Sequence, residues 1–369
     1  MAGSFVIAAR RSAVVPRNGA FADLSIEALA TPVLHAALHD AQVAPRQVGE
    51  IIVANALGAG GNPARIIALH AGLPEHVAGL TIDRQCAGGL DALLLADAMI
   101  QSGMHDVVIA GGVESYSRRP MRYHTFADGR PPVAYDQARF TPWADQDPDM
   151  AAAADALAQD LGISKADQDA WAIDSHHKAM TAQRENRIGG LVPIAGVDHD
   201  CFARDLSPRL CDRAPVISGG ITTANMSVAA AGAALTVMAS RKFVADNQLG
   251  AVEFVAGATL GSTPQMPGLA PVRAIAGALE AAGLTVADVT HAEVMEAFAA
   301  QAIACQQGVE IPSAIVNPAG GSLARGHPIG ASGAILAVQL FHSLQQNSGT
   351  GLAAIAAAGG LGSAAVLRR

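Results

Sequence analysis

The amino-acid sequence predicts an α/β fold, and three observations support this prediction. Apolar runs of strand length alternate with segments whose apolar residues recur at helical spacing, which is typical of helices packed on a buried, largely parallel sheet. The 369 residues are 51% hydrophobic but only 4% aromatic, and they include 38 glycines, which suits close backbone packing. A chain of this length can form two or three domains of ordinary size.

The first 118 residues show the alternation of strands and helices clearly. Ser25 precedes the first helical pattern and is a candidate N-cap, because its hydroxyl can accept a bond from an early helical N–H. The predicted elements are a strand at 4–14, a helix at 25–43, a strand at 50–57, a helix at 63–73, a strand at 78–85, a helix after Cys86 and a strand at 106–115.

Residues 119–214 have a different character and predict an insertion that lies over the core. Residues 117–149 hold many of the prolines and aromatics and show little periodicity. Two helices are predicted after them, at 150–162 and 164–186, the second with Ser164 as its N-cap.

The α/β rhythm returns after about Ile217. The predicted elements are a small-residue helix at 227–240, a strand at 251–260, a helix at 269–284, a turn and helix at 291–305, a strand and turn at 312–320, a helix at 330–346 and two strands within 350–367. Residues 106–115 and 352–364 are both small-residue strands that end in a turn. This similarity predicts an internal duplication of one α/β unit.

Charge, hydropathy and cysteine spacing exclude several classes of function. The formal net charge is −8, and the sequence contains no basic run that could bind along a phosphate backbone, so we expect no nucleic-acid partner. No apolar stretch is long enough to span a bilayer, and neither a secretory signal nor a peroxisomal address is recognisable. Four cysteines without metal-ligand spacing predict reduced thiols, no metal site and a cytoplasmic protein.

Cys86 occupies an unusual position, between a predicted strand and the start of an apolar helix. A thiol at a helix N-terminus is exposed to the positive end of the helix dipole, which favours its thiolate. Cys86 is therefore a candidate nucleophile. The alternative is a buried structural thiol, the more common role of a single cysteine.

Three stretches together carry a family resemblance: DRQCAGGLDAL around Cys86, VMEAFAAQA at 294–302 and NPAGGSLARGHPIGASGA at 317–334. In this order and at these separations they resemble the thiolases, which make or break carbon–carbon bonds between acyl-CoA thioesters. The similarity extends over essentially the whole chain.

The resemblance implies a five-layer αβαβα core built from two similar halves. The expected halves are residues 1–118 with 215–248, and residues 249–369. An inserted loop domain at 119–214 would cover the pocket for coenzyme A. The resemblance also implies an acyl-CoA thioester as substrate, no permanently bound cofactor, and a homodimer or homotetramer.

The resemblance also assigns roles to individual residues. Cys86 matches the acylated nucleophile, which two backbone N–H groups assist by holding the oxyanion. His327 matches the base that activates this thiol. The matching contacts of coenzyme A are Met150, Ser227, Ala297 and Phe298.

Three positions depart from the family pattern. Met295 stands where the family has asparagine or histidine, a residue that anchors an oxyanion-hole water, and methionine offers only a weak acceptor. Ala356 stands where a second cysteine transfers a proton at the α-carbon. Ala358 replaces a glycine whose N–H joins that of Cys86 in an oxyanion hole, and this N–H persists if φ is negative.

These departures predict an atypical acyltransferase that forms an acyl-enzyme on Cys86. The acceptor would be one that needs no second cysteine: an activated carbon nucleophile, an alcohol, an amine or water. One alternative is a genuine 3-ketoacyl-CoA thiolase with a substituted acid or base. Another is a non-catalytic acyl-CoA-binding subunit that works with a small OB-fold partner, as some thiolase-like proteins do.

Overall fold

The computed structural model describes residues 3–58 and 60–369. Ser25 caps the first helix as expected, because its hydroxyl accepts a hydrogen bond from the N–H of Ala28. The first part of the chain forms β1 (Ser4–Ser12), β2 (Val15–Pro16), α1 (Ile26–Ala41), β3 (Glu50–Ala54), α2 (Pro63–His70), β4 (Leu80–Ile82), α3 (Gly88–Gln101) and β5 (Val107–Ser115).

The predicted insertion begins after β5 and contains small sheets and helices. Ser164 and Asp167 form a capping box at the start of its longest helix, as the sequence predicts for Ser164. The elements are β6 (Arg122–His124), β7 (Val133–Tyr135), α4 (Met150–Asp160), α5 (Lys165–Arg184), β8 (Leu191–Val192), α6 (Pro208–Asp212), β9 (Val216–Ser218) and β10 (Ile221–Thr222). Strands β6 and β7 form one two-stranded sheet and β9 and β10 another, while β8 pairs with β1.

The rest of the chain returns to the main sheet. Its elements are β11 (Ala230–Ser240), α7 (Arg241–Asp246), β12 (Val252–Gly261), α8 (Ala270–Ala282), β13 (His291–Val294), α9 (Ala299–Gly308), α10 (Ser322–Arg325), α11 (Ile329–Gln346), β14 (Thr350–Ala357) and β15 (Leu361–Arg368). Gly283 ends α8 in the left-handed region, with φ of 67°. No helix in the described part of the chain is long and apolar enough to cross a membrane.

The pairing of the strands confirms the internal duplication. In the first half the order is β1-β11-β5-β3, with two antiparallel pairs followed by a parallel pair. The second half repeats this pattern as β12-β15-β14-β13. The halves join through antiparallel pairing of β1 with β12, and Ser4 lies opposite Phe254.

Five layers follow from the way the helices cover this sheet. Helices α3 and α11 lie between the two halves, where Leu90 and Ile335 share one core with Ile355 of β14. Helices α1 and α2 cover the outer face of the first half, and α8 covers that of the second. The predicted αβαβα core is confirmed, and it brings the starts of α3 and α11 to its centre.

Some element predictions are wrong. Residues 230–240 form the buried strand β11 and not a helix. Its odd-numbered residues from Ala231 face the outer core, while Ala230, Ala234 and Met238 face the central layer. Because both faces are apolar, the sequence shows no polar alternation, and alanine favours a helical interpretation.

The sheet is mixed and not largely parallel, since β11, β12 and β15 pair antiparallel with their neighbours. Residues 291–294 form β13 where a turn was expected. Residues 312–320 contain a 3-10 turn at Ser313–Ile315 in place of a strand. These segments are short, so their periodicity carries little information.

Candidate active site

Cys86 and His327 lie in direct contact although they are 241 positions apart in the chain. The sulfur of Cys86 is 3.1 Å from Nε2 of His327. Cys86 lies in the 3-10 turn Gln85–Ala87 that leads into α3, and His327 lies just before α11. The duplication therefore supplies one member of this pair from each half, at equivalent helix starts.

Two glycines explain how these helix starts come so close. A Cβ on Gly89 would lie 2.7 Å from the carbonyl oxygen of Gly330, and one on Gly333 would lie 2.5 Å from the backbone nitrogen of Leu90. Both separations are shorter than van der Waals contact. A larger residue at either glycine would push α3 and α11 apart and would separate the sulfur from the imidazole.

The imidazole of His327 is held from both sides. The ring Nδ1 is 2.7 Å from the hydroxyl of Ser332, and the backbone N–H of His327 donates to the carbonyl of Val228 at 2.8 Å. With a proton on Nδ1 bonded to Ser332, Nε2 presents a lone pair toward the Cys86 thiol. This tautomer suits a general base.

Electrostatics favour an uncharged pair in the resting site. Burial is the main cause that raises the pKa of Cys86 to about 12; its own backbone N–H acts in the opposite direction, and the carboxylates of Glu114 and Asp83 contribute to the increase. Burial lowers the pKa of His327 to about 4. The expectation that the helix dipole favours a Cys86 thiolate is therefore wrong, because desolvation of the sulfur outweighs it.

A cavity of about 630 Å³ reaches this pair. The predicted residues that line it together with Cys86 and His327 are Met150, Ser227, Ala297, Phe298, Ala356 and Ala358. The Ser227 hydroxyl donates to the carbonyl of Glu296 at 2.5 Å, so its proton is already used within the protein.

The end of β14 presents only methyl groups and backbone to the cavity beside Cys86. Ala356 contributes a methyl group, which can neither donate nor accept a proton. The φ angle of Ala358 is not positive. Within the described chain, neither its N–H nor that of Cys86 donates to another backbone carbonyl. Both amides therefore remain available to an oxyanion.

Met295 lies beneath the site and not at the cavity. Its side chain is fully buried and its sulfur is 2.9 Å from the hydroxyl of Ser322. The neighbouring carboxylate of Glu296 accepts hydrogen bonds from Trp171, Ser175, Asn317 and the N–H of Leu323. These bonds join α5 of the insertion to the segment that carries Ala297 and Phe298.

Sequence reasoning missed Glu114 and Ser332 as supports of the site. Glu114 accepts bonds from the N–H groups of Ala56 and Gly330, so it ties β3 to the start of α11. Burial raises its pKa to about 7. The sequence did contain a signal for Glu114, since it is a single carboxylate inside an apolar strand. A carboxylate buried there requires hydrogen-bond partners.

Comparison with known proteins identifies the family. The model of the thiolase N-terminal domain matches residues 4–242, and the model of the thiolase C-terminal domain matches residues 249–369. The chain belongs to the thiolase family. It is an acyltransferase, and the family uses CoA thioesters as substrates.

Sequence relatives match this chain over nearly its whole length. A Bacillus subtilis protein named "Putative acetyl-CoA C-acetyltransferase" is 36% identical over 367 residues, covering 97% of this chain and 96% of that protein. A Staphylococcus aureus protein with the same description is 35% identical over 379 residues, covering 99% and 98%.

Among solved structures, human mitochondrial 3-ketoacyl-CoA thiolase in complex with CoA has a TM-score of 0.94 at 29% identity, covering 99% of this chain and 98% of that one. The Bacillus anthracis acetyl-CoA acetyltransferase has a TM-score of 0.92 at 30% identity, covering 100% and 99%. The thiolase fold predicted from the sequence is thereby confirmed.

Proposed function

We propose that this thiolase-family chain forms an acyl-enzyme on Cys86 from an acyl-CoA substrate. The observation that supports this proposal most strongly is the 3.1 Å contact between the Cys86 sulfur and Nε2 of His327 beside an open cavity. No bound cofactor is needed, since the thiol and the imidazole supply a nucleophile and a base.

The proposed step begins with the neutral pair. The Cys86 sulfur attacks the thioester carbonyl while its proton passes to Nε2 of His327, and Ser332 holds the opposite ring nitrogen. The N–H groups of Cys86 and Ala358 bind the oxyanion. Collapse breaks the carbon–sulfur bond to coenzyme A, and the departing sulfur takes the proton from the imidazolium. The products are acyl-Cys86 and free CoA thiol.

Coenzyme A is proposed to enter along the wall formed by α4 and the segment before α9. Met150 and Phe298 are half-buried apolar residues there, and Ala297 and Ser227 form the floor between them. Such a wall suits the pantetheine arm, which needs apolar contact and little charge.

The acceptor is proposed to be a group that needs no deprotonation by a second cysteine. Ala356 supports this, because it lines the cavity with a methyl group, which cannot remove a proton, at the position where the family pattern has a second cysteine. Candidate acceptors are an activated carbon nucleophile, an alcohol, an amine or water.

Rapid-quench measurement of CoA release tests the acyl-enzyme. Wild-type protein mixed with acetyl-CoA is expected to release one equivalent of CoA thiol per chain in a fast phase. Cys86→Ala is expected to show no fast phase, whereas Cys201→Ala, which alters an exposed cysteine away from the pair, retains it. A fast phase that survives in Cys86→Ala would contradict the proposal.

A second candidate is acetyl-CoA C-acetylation itself, which the descriptions of the relatives favour. It requires another group to remove the α-proton. Asp83 and Tyr116 line the cavity, although burial raises the pKa of Tyr116 to about 12 and leaves it protonated. Thiolysis of acetoacetyl-CoA separates this candidate from the first, and loss of that activity in Asp83→Asn would identify the base.

We also propose a homodimer or homotetramer. Strand β4 is the outer edge of the main sheet, and its Leu80 is 36% exposed. Ile66 and Leu69 on the adjacent α2 are 41% and 48% exposed. An unpaired edge beside apolar side chains suits a self-complementary contact. Light scattering after size-exclusion chromatography tests this, and a monomer at micromolar concentration would contradict it.

A further inference from the structure

Three guanidinium groups line the same cavity as the Cys86 sulfur. Arg17 follows β2, Arg119 lies between β5 and β6, and Arg122 begins β6. A second cavity of about 400 Å³ adjoins the first, and none of the proposed CoA contacts lines it. The residues shared by both cavities, which we call the cationic wall, are Arg17, Tyr116, Arg119, Arg122, Tyr135 and Asp136.

The cationic wall has an excess of positive charge. Arg119 pairs with Asp136 at 2.5 Å, the one carboxylate of the wall. Arg122 donates to the backbone carbonyls of Ala56 and Leu57, which leaves its charge uncompensated. The exposed guanidinium of Arg17 has no hydrogen-bond or carboxylate partner among the described residues. Two positive charges are therefore available to a ligand.

The region around the sulfur has the opposite character. Asp83 lines the cavity three positions before Cys86, and with Glu114 it raises the pKa of the thiol. No arginine lowers that pKa. An anionic group beside the reacting carbon is disfavoured there, whereas one at the cationic wall is favoured.

Tyr116 adds a neutral donor to the wall. Its phenol stays protonated because burial raises its pKa to about 12, and the guanidinium carbon of Arg119 lies 5.5 Å from its ring centroid. Tyr116 lines both cavities. A protonated phenol beside guanidinium groups is a donor set that suits a carboxylate.

We propose that the acyl group transferred by this chain ends in a carboxylate, which the cationic wall binds while the thioester carbonyl reaches Cys86. The inference rests on the proposed acyl transfer and names its substrate class, a dicarboxylic acyl chain carried as a mono-CoA thioester. Phosphate groups of coenzyme A are the other anions that such a wall could bind, and the experiment separates the two.

Equilibrium binding to Cys86→Ala, which cannot be acylated at that position, provides the test. Glutaryl-CoA and pentanoyl-CoA have acyl chains of the same length and differ in the terminal carboxylate. Calorimetry is expected to give about five- to tenfold tighter binding of glutaryl-CoA, as for a partly exposed charged pair. The preference is expected to shrink as salt is added. Equal affinities at low salt would overturn the proposal.

Variants of Arg17 identify the source of the preference. In the Cys86→Ala background, Arg17→Gln is expected to reduce the preference about fivefold, and Arg17→Lys to keep most of it. Arg46→Gln, which changes another exposed arginine without a side-chain partner in the described chain, should leave it unchanged. If Arg17→Gln weakens both thioesters equally, the guanidinium serves the phosphates and the proposal is overturned.

The two proposals fail in different ways. A preference for glutaryl-CoA without any CoA release from wild-type protein would sustain the substrate class and refute the acyl-enzyme. Rapid CoA release from acetyl-CoA without a preference for glutaryl-CoA would refute the substrate class and sustain the acyl-enzyme.

Discussion

Replacing Ala356 by cysteine should supply a proton-transfer group at a position of the cavity wall that now carries only a methyl group. The Ala356 methyl group and the Cys86–His327 pair line the same cavity, so a new sulfur would occupy open space and displace no buried side chain. When Cys86 attacks the 3-keto carbonyl of acetoacetyl-CoA and the carbon–carbon bond breaks, the departing α-carbon would then have a proton donor in the same cavity. We expect Ala356→Cys to accelerate thiolysis of acetoacetyl-CoA.

The size of the gain follows from the chemistry and from burial. A positioned general acid or base contributes about 10²–10⁴ in rate, or about 3–5 kcal/mol of barrier. Burial raises the pKa of both Cys86 and Cys305 to about 12, so a thiol at position 356 is also expected to remain largely protonated. Because the protonated thiol is the form that donates to the departing α-carbon, the gain should reach at least about 10² near neutral pH and should not require a rise in pH.

Steady-state thiolysis, followed by the loss of acetoacetyl-CoA, measures this gain. Ala356→Ser is the matched control, because serine is of similar size but its hydroxyl is a much weaker acid than a thiol. The fast phase of CoA release from acetyl-CoA should remain unchanged in both variants. If Ala356→Cys acylates normally but is no faster than wild type in thiolysis, the missing thiol does not limit the reaction and the reasoning is refuted.

Three further predictions concern the pair and its surroundings. Because burial lowers the pKa of His327 to about 4, the fast phase should stay constant down to about pH 5 and fall by half near pH 4; a midpoint near its ordinary 6.5 would contradict this. Ser332→Ala should slow the fast phase about tenfold, whereas Ser343→Ala on the same helix should not; equal rates would show that Ser332 does not orient the imidazole. Burial raises the pKa of Glu293 from 4.5 to about 7, so its stabilising effect is complete below pH 4.5 and is lost as pH rises through 7. Glu293→Gln should therefore gain up to about 3 kcal/mol of unfolding free energy relative to wild type between about pH 5 and pH 8, measured by urea denaturation, and a pH-independent difference would exclude this.

The proximity of Cys86 and His327 was predictable because the sequence signals of both residues are local. Cys86 and His327 each stand in a glycine-rich segment before an apolar helix, and the family resemblance rests on these segments. The protonation state was not predictable in the same way. A helix start is visible in the sequence, but the desolvation that raises the pKa of the Cys86 thiol depends on the whole surrounding fold.

Strand β11 and Met295 show a second limit. Every second residue of β11 faces a different core, but both cores are apolar, so the period of two is hidden in the sequence. Met295 occupies a motif position, yet its side chain is directed into the core and not into the cavity. Sequence position within a motif does not determine the direction of the side chain.

The cationic wall illustrates what only the fold can reveal. Arg17 and Arg122 are about one hundred positions apart, and no local pattern relates them. They share a cavity because β2 pairs with the start of β11, whose partner β5 leads into the insertion. The proposed substrate class therefore depends on tertiary placement, whereas the proposed nucleophile lies in a local motif.

Intact-mass spectrometry of the acid-quenched protein tests the central claim most directly. After brief exposure to acetyl-CoA, the wild-type chain is expected to gain the mass of one acetyl group, and peptide mapping should place it on Cys86. The Cys86→Ala chain should gain none. An adduct that persists in Cys86→Ala, or a wild-type chain whose mass does not change while CoA is released, would contradict the account.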